Sequence, residues 1–283
     1  MPSPVADTPT ATRSRPVRSR RIGLHVVCVA VSLAMMMPLY LIALAAFSTP
    51  DSLNHFPLPL LPTHLSATTM RSFLNASGVM PGLVNSVQVG VFTVVLSLLL
   101  GVPAGYALSR YTFRGRSSYQ LFMVLTRALP IVVLSVPLTQ IFLSTGLYDS
   151  TYGVTLLHTA LALPTTVLIT TSVFVAVPRD HEEAAAVFGA SPQAAFVRVV
   201  LPQALPGIVA AALFAFVTSW NEVLGASILT LGHRTLPAQV LSALNYSPLT
   251  YRYAGGFALV VPALLFIALM RRYLLNMWGT TLR

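Results

Sequence analysis

Six long apolar stretches restrict what this chain of 283 residues can fold into. Each is long enough for the roughly 20 apolar residues that a helix needs to cross a bilayer. Charged residues make up only 8% of the sequence, whereas a soluble domain carries about 25%. We therefore predict an all-α integral membrane protein with six transmembrane helices. The predicted helices are 22–47, 83–108, 119–142, 153–177, 205–231 and 254–275.

The arginines predict how these helices are oriented. The chain has 17 arginines and no lysine. The two ends and the loops on the same side of the membrane contain Arg13, Arg15, Arg18, Arg20, Arg21, Arg110, Arg114, Arg116, Arg179, Arg198, Arg271, Arg272 and Arg283. The opposite loops contain only Arg71, Arg234 and Arg252. Because cytoplasmic loops are enriched in basic residues, we predict a multi-pass protein of the cell (inner) membrane with both termini in the cytoplasm.

Composition divides the chain into three parts. Residues 1–21, rich in Pro, Ser, Thr and Arg, are predicted to be a disordered basic cytoplasmic tail. Residues 22–276 form the predicted transmembrane domain, and 277–283 a short cytoplasmic tail. The single cysteine, Cys28, lies in the first predicted helix, which excludes disulfides and cysteine-based metal sites within the chain. The predicted helices hold no cluster of His, Asp or Glu, so we expect no enzymatic activity. We also expect no cofactor in this chain and no nucleic-acid partner.

The polar loop 178–204 has the local chemistry of two short helices joined by a turn. Asp180 followed three residues later by Glu183 predicts a capping box at the start of the first helix. Gly189 permits the positive φ that ends such a helix. Ser191-Pro192 supplies an N-cap and a first-turn proline for the second, and Leu201-Pro202 is predicted to end it. The loop is therefore expected to form a compact knob on the cytoplasmic side.

The same loop carries a recognisable pattern. It reads Glu183-Ala184-Ala185, three residues, Gly189, nine residues, Val199, one residue, and Leu201-Pro202. This resembles the coupling loop of membrane permease subunits of ATP-binding-cassette importers (E-A-A, three residues, G, nine residues, I-x-L-P), with Val199 at the Ile position. The resemblance implies that these residues, with Phe188, dock on a cytoplasmic ATPase and carry its motion into the membrane. Phe188 departs from the Asp that many sugar permeases have there. The alternative is a hairpin on the membrane surface without a partner.

Further short motifs narrow the resemblance. They are Asn85-Ser86, Arg110-Tyr111-Thr112-Phe113-Arg114-Gly115-Arg116, Trp220-Asn221-Glu222 and Thr235-Leu236-Pro237. In this order, over 22–275, these motifs look like those of the smaller permease subunit of carbohydrate importers of the maltose and glycerol-3-phosphate type. The C-terminal sequence Met277-Trp278-Gly279-Thr280 departs from the ending of that family. The resemblance implies a second permease subunit, an ATPase dimer that binds ATP and Mg, and an extracytoplasmic sugar-binding protein.

Two alternatives remain at the level of function. An ion-gradient-driven secondary transporter is expected to have paired intramembrane carboxylates or broken helices in matching halves, whereas Glu222 is the only carboxylate well inside a predicted helix. An importer permease for a non-sugar solute such as glycerol-3-phosphate fits the same motifs. The sequence has no G-x-x-x-x-G-K-[ST] phosphate loop, so ATP is expected to be bound by another chain.

Intramembrane polar residues provide candidates for a pathway or gate. A carboxylate in the bilayer centre costs about 2.5–3.5 kcal/mol on insertion scales, so Glu222 should face a helix interface or an aqueous path. Asn221 and Arg127 are the other two candidates. For Glu222 the alternative is a hydrogen bond that fixes one helix against another, and for Arg127 it is extension of the side chain to the cytoplasmic interface.

Two further features predict packing in the membrane. Gly101 and Gly105 form a GxxxG pair in the second predicted helix, which favours close contact with another helix of the same chain. His158, in the fourth predicted helix, is expected to be a hydrogen-bonded interior residue. Pro130 and Pro137 lie on nearly one face of the third predicted helix, where they predict either bends that shape a cavity or kinked packing.

Overall fold

The structure is a computed structural model that describes the backbone of residues 17–53, 60–61, 65–244 and 246–279. Side chains are described in the same ranges except at 17–22, 50 and 271–279. Of the predicted tails 1–21 and 277–283, residues 1–16 and 280–283 lie outside the described residues. Residues 17–21 are helical and not disordered as predicted, because α1 begins at Val17, and 277–279 continue α13. Within the described ranges the regular structure is helical, apart from one isolated bridge between Ser48 and Leu65.

The helices are numbered in chain order. They are α1 (Val17–Ala46), α2 (Pro50–Leu53), α3 (Thr68–Leu74), α4 (Val79–Arg110), α5 (Arg116–Thr126), α6 (Ile131–Thr145), α7 (Thr151–Ala176), α8 (Asp180–Val187), α9 (Pro192–Ala195), a π-helical turn (Phe196–Val200), α10 (Leu201–Asn221), α11 (Leu224–Leu229), α12 (Leu236–Ala243) and α13 (Leu249–Gly279). Among the described residues, five helices are long and apolar enough to cross a membrane, or six if the bent pair α5 and α6 forms one span.

Four of the predicted transmembrane helices are confirmed, with ends within five residues of the prediction. They correspond to α1, α4, α7 and α13. Prolines lie inside all four. A transmembrane helix tolerates them because neighbouring helices and Ser or Thr side chains satisfy the freed backbone groups.

The prediction of one continuous third helix over 119–142 is wrong. The chain forms α5 and α6, which meet at an angle of 95°. Pro130 lies between them in an extended conformation and has no N–H to continue the helical bonding of α5. Pro137, by contrast, lies inside α6 without interrupting it. The mean hydropathy of this stretch does not reveal the break, because α5 and α6 together are as apolar as one continuous span.

The prediction of a fifth helix over 205–231 is wrong at both ends. The helix begins at Pro192, continues through the π-helical turn and ends at Asn221. Glu222 then adopts an extended conformation, and the short helix α11 begins at Leu224. Glu222 therefore lies in a break between two helices and not within one.

The centre of the bundle is the contact between α4 and α7, with α10 packed against both. A Cβ at Gly101 would lie 2.7 Å from Thr166 Cγ2, and one at Gly105 would overlap Thr170. Thr170 Oγ1 donates to the backbone oxygen of Gly101 at 2.9 Å. The two glycines thus let α4 approach α7 closely, which confirms the predicted contact within this chain.

The loop before α7 is tied to the loop after α11 by one carboxylate. Asp149 Oδ1 accepts hydrogen bonds from the backbone N–H groups of Leu231, Gly232 and His233 at 2.8–3.0 Å. The Asp149 N–H donates to the Leu229 oxygen at 2.9 Å. Burial acts to raise the pKa of Asp149, but the three donors and the nearby His233 outweigh it and hold the pKa below its usual value. The loops that hold α11 are therefore fixed to the rest of the bundle.

Candidate functional site

The polar loop between α7 and α10 forms a helical knob. Helix α8 ends at Val187 with Phe188 as its C-cap, and Gly189 turns the chain with φ +83°. Ser191 then caps α9, since its Oγ accepts from the Ala194 N–H at 3.3 Å, and Pro192 occupies the first turn. Both short helices and the glycine turn agree with the sequence prediction.

Two details of the predicted knob are wrong. Asp180 is not an N-cap, because the preceding Arg179 is already helical and no side-chain cap forms. Asp180 instead places an acidic group in the first turn of α8, where it faces the positive end of the helix dipole. Leu201-Pro202 does not end the second helix, because the wider π-helical turn precedes Pro202 and the chain continues into α10 without needing its N–H.

The tip of the knob exposes apolar side chains. Val187 is 86% exposed and Phe188 is 91% exposed. Glu183, Ala184 and Gly189 are exposed on the same short segment. A polar membrane-protein loop that presents large apolar side chains has the character of a protein contact site.

The end of the predicted motif lies at the base of the knob. Val199 and Leu201 are half-buried, whereas Pro202 is exposed. Ala185 is half-buried on α8. The structure thus divides the motif into an exposed tip and a base that joins the long helix α10.

A buried ion pair joins the knob to the transmembrane bundle. Arg110, at the end of α4, donates from Nε to Glu182 Oε1 on α8 at 2.5 Å, and the two side chains are only 7% and 18% exposed. The Tyr106 hydroxyl donates to Glu182 Oε2 at 2.7 Å. Arg110 also donates to the Val177 oxygen at the end of α7 at 2.9 Å. We call Tyr106, Arg110, Val177 and Glu182 the Arg110 cluster.

Further contacts surround this cluster. Arg179 donates to the backbone oxygens of Ser109 and Arg110 at 3.3 and 3.1 Å, which satisfies carbonyl groups at the end of α4. The Tyr106 ring lies 5.5 Å from the Phe174 ring and 4.5 Å from the Phe196 ring, measured between centroids. The cluster therefore sits in an aromatic layer between α4, α7 and the base of the knob.

Sequence reasoning missed this cluster. The motif drew attention to Glu183, which is exposed, while its neighbour Glu182 makes the ion pair. In the sequence Arg110 contributes to the positive charge of a cytoplasmic loop and to a family motif, and neither predicts an ion pair. The available signal was the position of Arg110 at the end of an apolar helix, but nothing local indicates a partner 72 residues away.

Glu222 lies in a second buried polar site, at the break between α10 and α11. Its carboxylate accepts from the backbone N–H groups of Gly225 at 2.7 Å and Ala226 at 3.0 Å. Its Oε2 lies 3.0 Å from Nε2 of His158, whose Nδ1 lies 2.8 Å from the Ser219 hydroxyl. His158 is fully buried, which confirms the prediction of a hydrogen-bonded interior residue. The carboxylate thus caps α11 and fixes it against α7.

The other two pathway candidates lie elsewhere. Arg127 is exposed directly after the end of α5, and within the described part of the chain no ion pair joins it to Glu222. Asn221 is exposed and lines a cavity of about 270 Å³ together with Trp220, Val223, Pro237 and Leu259. Although adjacent in sequence, Asn221 faces an open cavity whereas Glu222 faces buried His158. The structure does not bring the three candidates together.

Comparison with known proteins shows the family. Residues 97–275 match the family of binding-protein-dependent transport system inner membrane components. The chain belongs to this family. The permease is 30% identical over 220 residues to a trehalose transport system permease protein of Mycobacterium tuberculosis (strain CDC 1551 / Oshkosh), covering 75% of the permease and 80% of that relative. It is 29% identical over 257 residues to a diacetylchitobiose uptake system permease protein of Streptomyces coelicolor (strain ATCC BAA-471 / A3(2) / M145), covering 88% and 84%.

Solved structures show the same fold. The permease superposes on a chain of a bacterial ABC transporter involved in the import of the acidic polysaccharide alginate with a TM-score of 0.70 and 21% identity, covering 93% of the permease and 99% of that chain. It matches a chain of the MetNI methionine ABC transporter, in an inward-facing form, with a TM-score of 0.60 and 19% identity, covering 70% and 95%. These structures show the fold, and the family match together with the relatives named as transport permeases identifies the chain as a permease subunit of an ABC transporter, which replaces the alternative of an ion-gradient-driven transporter.

Proposed function

We propose that the permease docks the tip of its knob on a separate ATPase and transmits the motion of that ATPase to the membrane helices. The observation that carries this proposal is the exposed tip formed by Val187 at the end of α8 and by Phe188 and Gly189 in the turn before α9. A rigid helical knob transmits rigid-body motion, whereas a flexible loop absorbs it. Burial of the two apolar side chains in a cleft of the ATPase supplies free energy for docking.

The proposal includes the remaining partners and the orientation. Both termini and the knob lie in the cytoplasm, as the arginine distribution indicates. The ATPase is a dimer that binds ATP and Mg, and this chain performs no catalysis. A second permease subunit completes the translocation path, and an extracytoplasmic binding protein delivers the solute. The large apolar side chains exposed along α1 and α5 support a lipid- or subunit-facing surface.

We infer that the solute is a sugar or a sugar-like compound. Support comes from relatives named for trehalose, diacetylchitobiose and sulfoquinovosyl glycerol. Asn221, exposed in the cavity beside Trp220, is the residue best placed to contact a hydroxylated solute in the path. A non-sugar solute is the second candidate, because another relative is named for uptake of osmoprotective compounds.

Capture of the ATPase by the assembled importer tests the docking proposal. Phe188→Ala removes the most exposed apolar side chain of the knob, and we expect ATPase capture to fall about tenfold, a loss typical of interface residues that contribute more than about 1 kcal/mol. Tyr246→Ala is the matched control, because Tyr246 is 92% exposed but lies in the loop before α13. Equal capture by both variants and the unsubstituted permease would refute docking through this tip.

A transport assay tests the solute proposal. Proteoliposomes that contain the complete importer are supplied with its binding protein and with radiolabelled trehalose or diacetylchitobiose. We expect ATP-dependent accumulation of one of these sugars or competition by a related one. Accumulation of glycine betaine in place of any sugar would decide for the non-sugar alternative.

A further inference from the structure

The Arg110 cluster is separate from the surface proposed to dock on the ATPase. Glu182 and Arg110 are largely buried against the bundle, whereas Val187 and Phe188 at the tip are exposed. Docking alone gives no reason for a buried charge pair at this place, because burying a charge costs free energy unless it is paired and hydrogen-bonded. The pair instead lies where the knob meets the membrane helices.

We propose that Arg110 and Glu182 are positioning residues that hold α8 rigidly to α4 and α7, so that movement of the knob becomes movement of the transmembrane bundle. The proposal rests on the proposed docking function. It assigns these residues to the conversion of ATPase motion into transport and not to the binding of the ATPase.

The bonding pattern supports a rigid connection. Both carboxylate oxygens of Glu182 accept a hydrogen bond from α4, one from Arg110 and one from Tyr106. Arg110 donates in two directions, to Glu182 on α8 and to the Val177 oxygen at the end of α7. Charge-assisted bonds of this kind are about twice as strong as neutral ones.

The position of the cluster explains why it is needed. Only Val177, Pro178 and Arg179 separate the end of α7 from the start of α8. Arg179 is already helical, so the direction of α8 relative to α7 depends on the backbone torsions of Val177, which is extended, and of Pro178. The ion pair restricts these torsions by joining α8 directly to α4, and the second donation from Arg110 fixes the end of α7 at the same point.

Distance measurements between spin labels in the assembled importer test this proposal. Labels are placed at Asp180→Cys on α8, at the end of the helix away from the docking tip, and at Leu99→Cys on α4, both at exposed positions, with Cys28→Ser as background. With Arg110 and Glu182 intact we expect one narrow distance distribution that does not change when ATP is added. With Arg110→Gln or Glu182→Gln we expect the distribution to broaden, while the variants still capture the ATPase.

Function is measured on the same variants in proteoliposomes. We expect ATP hydrolysis to stay within about twofold and uptake per ATP hydrolysed to fall about tenfold, within the usual range of coupling free energies. The exchanged pair Arg110→Glu with Glu182→Arg restores the charge pair but not the donation to the Val177 oxygen, so the distribution should be narrower than in either single variant but broader than in the unsubstituted permease. Arg114→Gln removes a nearby exposed arginine and is the control expected to behave like the unsubstituted permease.

The outcomes separate the two proposals. Narrow, unchanged distributions in both neutral variants would overturn the positioning role, and so would loss of ATPase capture, because the pair would then act through docking or folding. If the unsubstituted permease itself captures no ATPase, the docking function fails first. A purely structural role predicts loss of assembly without recovery in the exchanged pair.

Discussion

Gly189 is the residue whose backbone conformation most directly shapes the knob. Its φ of +83° is a left-handed conformation, and a Cβ there would meet open space, so Gly189→Ala tests conformation alone. The left-handed conformation costs a residue with a Cβ roughly 1–2 kcal/mol. We expect the turn to change and ATPase capture to fall several-fold in a pull-down with the complete importer.

Gly115 provides a matched comparison. It has φ +91°, it also faces open space, and it lies in the loop between α4 and α5. Gly115→Ala carries the same backbone cost and should leave ATPase capture unchanged. If both substitutions reduce capture equally, the effect reflects general loss of stability and the turn at Gly189 has no special role.

Single residues show clearly which parts of the site a sequence can predict. The turn at Gly189 and the cap at Ser191 follow from backbone preferences within a few residues, and the structure contains both. The partners of Arg110 and His158 lie 72 and 64 residues away. Such contacts depend on how helices pack, so local chemistry selected exposed Glu183 and left out buried Glu182.

At the scale of elements, the break between α10 and α11 depends on the Glu222 carboxylate. Glu222→Ala leaves the Gly225 and Ala226 N–H groups and His158 without this acceptor. An unsatisfied buried polar group costs about 1–3 kcal/mol, so we expect a lower thermal midpoint of the purified complex. Glu222→Gln keeps one acceptor oxygen for the N–H groups, so its thermal midpoint should fall less than that of Glu222→Ala.

The same pair of substitutions separates the two predicted roles of Glu222. A cap predicts that Ala is more destabilising than Gln and that uptake follows stability. A gate predicts that Gln abolishes uptake although the thermal midpoint stays at the unsubstituted value. Midpoints for Ala and Gln that both equal the unsubstituted value would contradict the role as a cap.

The close contact between helices α4 and α7 depends on a small residue at Gly105. Gly105→Ala would place a Cβ against the Thr170 side chain and 2.8 Å from the Thr171 nitrogen. Forcing an extra carbon into a close-packed contact typically costs about 1–3 kcal/mol. We expect a reduced thermal midpoint, whereas Gly23→Ala, with nothing within 4 Å on α1, should have no effect. Unchanged stability of Gly105→Ala would show that α4 and α7 can separate freely.

Hydropathy predicted the long helices well and their breaks poorly. A continuous apolar run has the same mean hydropathy whether or not it bends, so neither the 95° angle at Pro130 nor the break at Glu222 changes the signal. Pro130 and Pro137 give the same local signal in the sequence, yet Pro130 precedes the start of α6 whereas Pro137 lies inside it. Whether a proline breaks a membrane helix depends on the neighbours that satisfy its backbone.

At the scale of the whole molecule, the bent pair decides the topology. Helix α5 has 11 residues and α6 has 15, which at 1.5 Å per residue gives lengths of about 16 and 22 Å. Neither alone matches a hydrocarbon core about 30 Å thick. If the pair crosses the membrane, the protein has six spans and its termini share one side. If the pair is re-entrant, it has five spans and the termini lie on opposite sides.

The distribution of charge favours an α5–α6 pair that crosses the membrane, and the accessibility of single cysteines to a reagent tests this. Arg110, Arg114 and Arg116 lie on the α4 side of the pair, whereas the loop after α6 contains Asp149 and no basic residue. The positive-inside rule therefore places the two flanks on opposite sides.

In intact cells, with Cys28→Ser as background, an impermeant maleimide should label Thr145→Cys but not Thr112→Cys, both of which are exposed. Thr112→Cys should react only after the cells are opened. Equal reactivity of the two positions from outside, or from inside, would establish a re-entrant pair and place the C-terminus opposite the N-terminus.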